Sequence, residues 1–422
     1  MQRRHDIDAL RALAFALVIL YHVGMAYVAG WHWHLKSEHA ATWLQWPMQA
    51  LNIWRMDLVF LVSGLAFSIL LQQRMKEGAP PVADKARGRF RLLGQRSWRL
   101  LLPLAFGMAV VVPYQPYAQG VANGLIEPGF SAFLARYFTG GRWPRGAFDG
   151  WDIGVTWNHL WYLPYLWAYT AVWCLALPLL QSGPVARLAG AFRQLRGTRL
   201  LVLPMLPLML YSLTLWPYFP QSHDLVHDLW LHAVYFTLFG YGVWIGLDKG
   251  LWAELTRIAR RALLLAVLAF VVYGGLRWAV LSADLADFRP AVRMLARLVA
   301  NAYLWFVIVA VLGAAHCWLN RPWPWLRWAG ESVYPWYMLH QTLIIVALVW
   351  LMPLHLGPWI EPLAVLVCAL GGCWLVTDGL VRRVRWLRPL FGLKAIRPAA
   401  QPAPSRCLSA DPAACPSARS AR

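Results

Sequence analysis

Long apolar runs alternate along the chain with short segments rich in either Lys and Arg or Gly, Pro and aromatics. A helix rises about 1.5 Å per residue, so about twenty apolar residues cross the ~30 Å hydrocarbon core of a bilayer. The pattern predicts ten spans, at 12–30, 51–71, 98–114, 157–180, 200–219, 229–247, 262–281, 292–315, 332–352 and 360–380. The expected fold class is therefore all-α, a polytopic membrane protein. The third span is the shortest, and the eighth carries Arg293 and Arg297 near its start. The first apolar run follows Arg3, Arg4 and Arg11 and is long enough to span. It is expected to stay as a helix rather than be cleaved as a signal peptide. No internal repeat is visible, so an inverted-repeat transporter gains no support.

Composition fits a chain dissolved mainly in lipid. Of its 422 residues 59% are hydrophobic and 14% charged, against about 25% charged in soluble domains. The net charge of +20 would suggest nucleic acid in a soluble protein. Here, however, thirty of the 39 Lys and Arg fall in one alternating set of segments: the N-terminus, 72–99, 181–199, 248–261, 316–331 and the C-terminal end. Positive residues gather on the cytoplasmic side, so both termini are expected there. The bilayer, and not nucleic acid, is the expected partner. The 27 Trp agree, since indoles favour the headgroup level.

Residues 115–156 form the largest outside loop, and their Trp and Tyr content argues that the loop is folded. A membrane domain is expected over 1–394. A disordered cytoplasmic tail rich in Pro, Ala and Ser follows over 395–422. Six cysteines show no metal or disulfide spacing.

Several polar groups interrupt the spans. Arg11 and His22 are eleven residues apart, hence on nearly one helical face and about 16 Å apart along the axis. Asp8 lies three residues before Arg11, within pairing reach. Arg11 at a helix end reads equally as a snorkelling arginine. His22, by contrast, sits amid apolar, aromatic and small residues in the middle of its run, and an ionisable group there points to function. In the second span Asp57 precedes Ser63-Gly64; near the outer end, Asp57 also reads as a solvated carboxylate. Arg96 and Arg99 share a helical face at the cytoplasmic interface. Their forks suit phosphates, although topology alone explains them. His159 lies near the outer interface, while His340 is deeper in an apolar helix, where it reads as a lone imidazole bonded to a carbonyl. His223 and His227 are four apart, a spacing that can hold metal on a helix, but a polar linker needs such residues anyway, and no metal is expected.

Taken in order, DIDALRALA with the Arg11-to-His22 spacing, MDLVFLVSG, the Arg96/Arg99 pair before Leu-Leu-Pro, HLWYL and YPWYMLHQ resemble the acyltransferase 3 family of bacterial membrane-bound acyltransferases. With the closing RRVRWLRPLFGLK, the chain is most similar to the branch of glucan-biosynthesis protein C. The SGL at Ser63–Leu65 stands where that family usually has SGF. The resemblance implies ten helices in a bacterial inner membrane. It also implies transfer of an acyl group, acetyl or succinyl first, from cytoplasmic acyl-CoA to a hydroxyl of a carbohydrate or glycolipid acceptor, with no bound cofactor. By position, His22 is implied as the catalytic histidine, supported by Arg11 and Asp8. Arg96 and Arg99 match the family's cytoplasmic arginine pair. With Asp57, Ser63, His159, Trp161 and His340 they make up the expected substrate-binding set. The competing expectation from another class is a transporter or flippase for an envelope precursor, whose pathway the same His and Arg would line.

Overall fold

The computed structural model describes residues 4–76, 82–180, 183–281 and 289–395. Among the described residues ten helices are long and apolar enough to cross a membrane: His5–Tyr27, Gln45–Gln73, Arg87–Ala122, Asn158–Leu180, Gly197–Thr214, Leu229–Gly246, Lys249–Val280, Arg289–Trp318, Trp325–Leu354 and Gly357–Val381. Each overlaps one predicted span, and there is no β-strand among the described residues. Apart from residue 395, the expected tail lies outside the described residues.

Boundaries differ most where charged helix formers flank an apolar run. The third and seventh helices start well before their apolar stretches. Arg, Leu and Ala there favour helix as strongly as the membrane segment does. The third helix also continues beyond its predicted end, past Pro103 and through a π-helical turn at Gly107–Val111. A wide turn of this kind often marks a functional site. It leads into the short helix Tyr114–Ala122, which brings Gln115 and Gln119 into the protein interior.

Two spans meet through small residues. Gly64 lies against the carbonyl of Phe239, and Gly242 lies against the carbonyl of Leu61. Ser68 and Gly246 repeat the contact one turn along. Any Cβ at Gly64 or Gly242 would strike backbone, which is why the second and sixth spans approach so closely. The seventh and eighth spans form a long antiparallel pair, with Gly313 against the Leu255 carbonyl. Leu263, Leu264, Val267, Leu268 and Val271 are exposed on the seventh. An apolar face of this kind belongs against lipid, with the helix's own hydrogen bonds satisfying its backbone.

The segment expected as the largest loop, 115–156, is folded, as its aromatics suggest. Phe133, Tyr137, Trp143, Ala147 and Phe148 build a small core of their own. The Tyr137 hydroxyl donates to the carbonyls of Met108 and Thr156, tying that core to the third span.

Candidate active site

Three imidazoles from three spans meet near the bundle centre. His340 Nε2 lies 3.1 Å from His22 Nδ1, and the ring centroids are 5.0 Å apart. The His159 ring stands edge-on to His340 at 5.1 Å. Neighbouring carbonyls dictate the tautomers, because a carbonyl oxygen can only accept. His340 Nδ1 donates to the carbonyl of Tyr337 at 2.8 Å and faces that of Trp336 at 3.1 Å. His340 Nε2 is therefore the lone-pair nitrogen. His22 Nδ1 faces the Val18 carbonyl at 2.9 Å and that lone pair, so it is the N–H side of its ring. What remains is the His22 Nε2 lone pair, in the form a general base requires.

His159 is held from both sides. Its Nε2 donates to Met338 O at 3.1 Å, and its Nδ1 accepts from Gln115 Nε2 at 3.2 Å. From there a buried polar chain continues outward. Gln341 Nε2 donates to Gln115 Oε1 and reaches His34 Nε2, and His34 Nδ1 meets Gln119 Oε1 at 2.6 Å. His34 stands in the connection between the first and second spans, where burial pushes its imidazole pKa down.

A cavity of about 490 Å³ opens at the end of the bundle that carries the start of the first span. Asp8, Arg11, Ser63, Arg96 and Arg99 all line it, so five of the sequence-predicted residues share one cavity. Arg327 adds a further cation, as do Arg388 and Lys394 of the closing RRVRWLRPLFGLK. Arg11 donates to the carbonyl of Gly330 at 2.8 Å. Arg96 has a buried Nε without a partner in the protein. Ser63 donates to Val59 O and lies 2.5 Å from the Tyr162 hydroxyl.

His22 does not line this cavity. Phe15, Tyr162 and Tyr337 close its inner end as a triangle of rings 5.3 to 5.9 Å apart. The His340 ring is 6.0 Å beyond Tyr337. The helical alignment of Arg11 with His22 therefore runs through an aromatic collar.

Three readings from sequence need correction. His22 is not surrounded only by apolar groups, since helices distant in sequence bring in two more imidazoles. His340 is not a lone imidazole, because it touches His22. Asp57 is not a solvated carboxylate: it is 6% exposed, and its Oδ1 lacks a partner in the protein. It also stands apart from the arginine pair, lining a second cavity of about 780 Å³ at the opposite end of the bundle. Trp161 stacks on His223 at 4.3 Å, and burial pushes the His223 pKa down to about 4. His227 pairs instead with Asp224, so the two linker histidines have separate partners.

A family model described as "Acyltransferase domain", that of the acyltransferase 3 family, matches residues 4–378. The chain belongs to that family. No curated protein and no solved structure matches it. Membership makes the protein a membrane acyltransferase rather than a transporter or flippase. The match takes in His22, His159 and His340 and every residue lining the second cavity, while Arg388, Gly392, Leu393 and Lys394 of the first cavity lie just beyond it.

Proposed function

We propose that this acyltransferase moves an acyl group, acetyl or succinyl, from acyl-CoA to a hydroxyl of a carbohydrate or glycolipid of the cell envelope. The observation that carries the reading is the His22–His340 pair, set between a cation-rich cavity on one side and a second cavity on the other. The phosphates of coenzyme A suit Arg96, Arg99, Arg11 and their neighbours, because guanidinium forks match phosphate oxygens. The thin pantetheine arm passes the aromatic collar, whose rings must part to admit it.

His22 Nε2 takes the proton of the acceptor hydroxyl as its oxygen attacks the thioester carbonyl. The new C–O bond forms and the C–S bond breaks. The departing thiolate recovers the proton from His22, giving an ester and free CoA. His340 steadies the imidazole by accepting from His22 Nδ1 through its own Nε2, and Gln115 and Met338 hold His159 beside His340. Labelled acyl-CoA supplied to membranes should yield free CoA and labelled glycan or glycolipid, the latter identified by mass spectrometry. If neither product appears above membranes lacking the protein, the reading fails.

The side assignment follows from the charge pattern in a bacterial inner membrane, with both termini cytoplasmic. A reporter fused to the C-terminus should report cytoplasm, and one inserted at Gly146 should report the outer side. A cytoplasmic signal at Gly146 would reverse the assignment and put the donor cavity on the wrong face.

A further inference from the structure

We propose that the second cavity binds an anionic saccharide: a hydroxylated ring carrying a phosphate or carboxylate, held by Arg277, Arg293 and Arg297. This deepens the acyl-transfer reading and rests on it, since the ligand is the acceptor. Arg277 ends the seventh span and the other two begin the eighth, and all three line the cavity. Topology does not explain them. Outside the positively charged segments the chain has only nine Lys and Arg, and the outer ends of spans have no general need for cations. A third of those nine face one cavity.

Arg297 is the best defined. Its guanidinium carbon lies 2.9 Å from the centre of the Trp216 ring, and its Nη1 is buried without a partner in the protein. A stacked guanidinium keeps its in-plane donors free, which is the geometry for binding an oxyanion. Asp57, nine-tenths buried, also lines the cavity, with Oδ1 unpartnered. A carboxyl group there exchanges hydrogen bonds with hydroxyls. The arginines and Asp57 thus orient one ligand, anionic group toward the arginines and hydroxyls toward Asp57. Trp230 and Gln221 add the ring face and the amide that sugars use.

The hydroxyl end also points the right way for chemistry. Asn52 lines the cavity and accepts from the Tyr21 hydroxyl at 2.9 Å. Tyr21 is the chain neighbour of His22, its ring 5.9 Å from the imidazole. A hydroxyl brought in past Asp57 and Asn52 approaches the base from the side opposite the donor cavity.

The test uses the full chain in phosphatidylcholine nanodiscs and equilibrium binding of labelled glucose 1-phosphate against labelled methyl glucoside. The phosphosugar should bind at least tenfold more tightly. Arg293→Gln and Arg297→Gln should each weaken it by about tenfold, the low end for a charge-assisted hydrogen bond, and leave methyl glucoside unchanged. Arg293 is exposed, so its substitution carries little folding risk even if Arg297→Gln fails to accumulate. Equal binding of the two sugars, or wild-type phosphosugar binding in Arg293→Gln and in any Arg297→Gln that accumulates, overturns the proposal. Competition by polyprenyl-phosphate-linked glucose, set against glucose 1-phosphate, separates a lipid-borne from a free source. Tight binding in either arm upholds the site, and weak binding in both overturns it. Acetyl-CoA binding is measured on the same samples and should not change in either variant. If acetyl-CoA binds to none of them, the donor reading fails while the sugar contrast still stands as its own result.

Discussion

His22→Gln should accumulate normally, bind acyl-CoA as the wild type does, and lose acyl transfer by ~10²–10⁴-fold, the usual contribution of a general base. Glutamine is a close test. Its amide N–H can still donate to the Val18 carbonyl that His22 Nδ1 meets at 2.9 Å, but it has no basic nitrogen in place of Nε2. Donor affinity should hold because His22 does not line the cation-rich cavity. His340→Gln, which looks from sequence like an independent control, is not one, since its Nε2 touches His22 at 3.1 Å. It should lower turnover less than His22→Gln does, with donor affinity unchanged, because it removes support for the imidazole rather than the base. Labelled transfer in membranes holding equal amounts of each variant decides. Near-normal turnover in His22→Gln would make the histidine a packing residue.

The spans could be read from the chain because membrane thickness imposes a length and lipid imposes a composition. Each of those signals is local. What the sequence hides is whatever depends on contacts between distant segments. His22 and His340 are 318 positions apart; nothing in either apolar run says that they meet. HLWYL and YPWYMLHQ did bring His159 and His340 forward as candidates, yet their motifs carry no depth or azimuth. Arg327 reads as topology charge and Arg388 and Lys394 as part of a closing motif, and the fold gathers them with Arg96 around one cavity. Arg293 and Arg297 stand out in an apolar span, but their meaning depends on Arg277 arriving from the neighbouring helix. Asp57 reads as solvated from sequence for the same reason: whether a carboxylate near a helix end is solvated depends on what packs over it.

Arg96→Ala and Arg99→Ala should each raise the apparent KM for acyl-CoA by about 10- to 150-fold and leave kcat near normal, the range that follows from ~1.5–3 kcal/mol per hydrogen bond to a charged group. The split between the two constants is the informative part. A phosphate held by arginine is held equally in the ground state and the transition state, so its loss weakens binding without slowing the chemical step. Arg96 should show the larger effect. Its Nε is buried without a partner in the protein, whereas Arg99 is exposed, where water and salt screen its charge. For the same reason the Arg99 contribution should shrink as ionic strength rises and the Arg96 contribution should persist. Arg91 is the proper control, being an exposed arginine of the same basic segment that does not line the cavity. If charge in this segment serves topology alone, Arg91→Ala, Arg96→Ala and Arg99→Ala will behave alike, with unchanged KM for acyl-CoA and at most a shared drop in accumulation. A donor defect confined to Arg96 and Arg99 separates phosphate binding from orientation in the membrane, which the positive charge count alone cannot do.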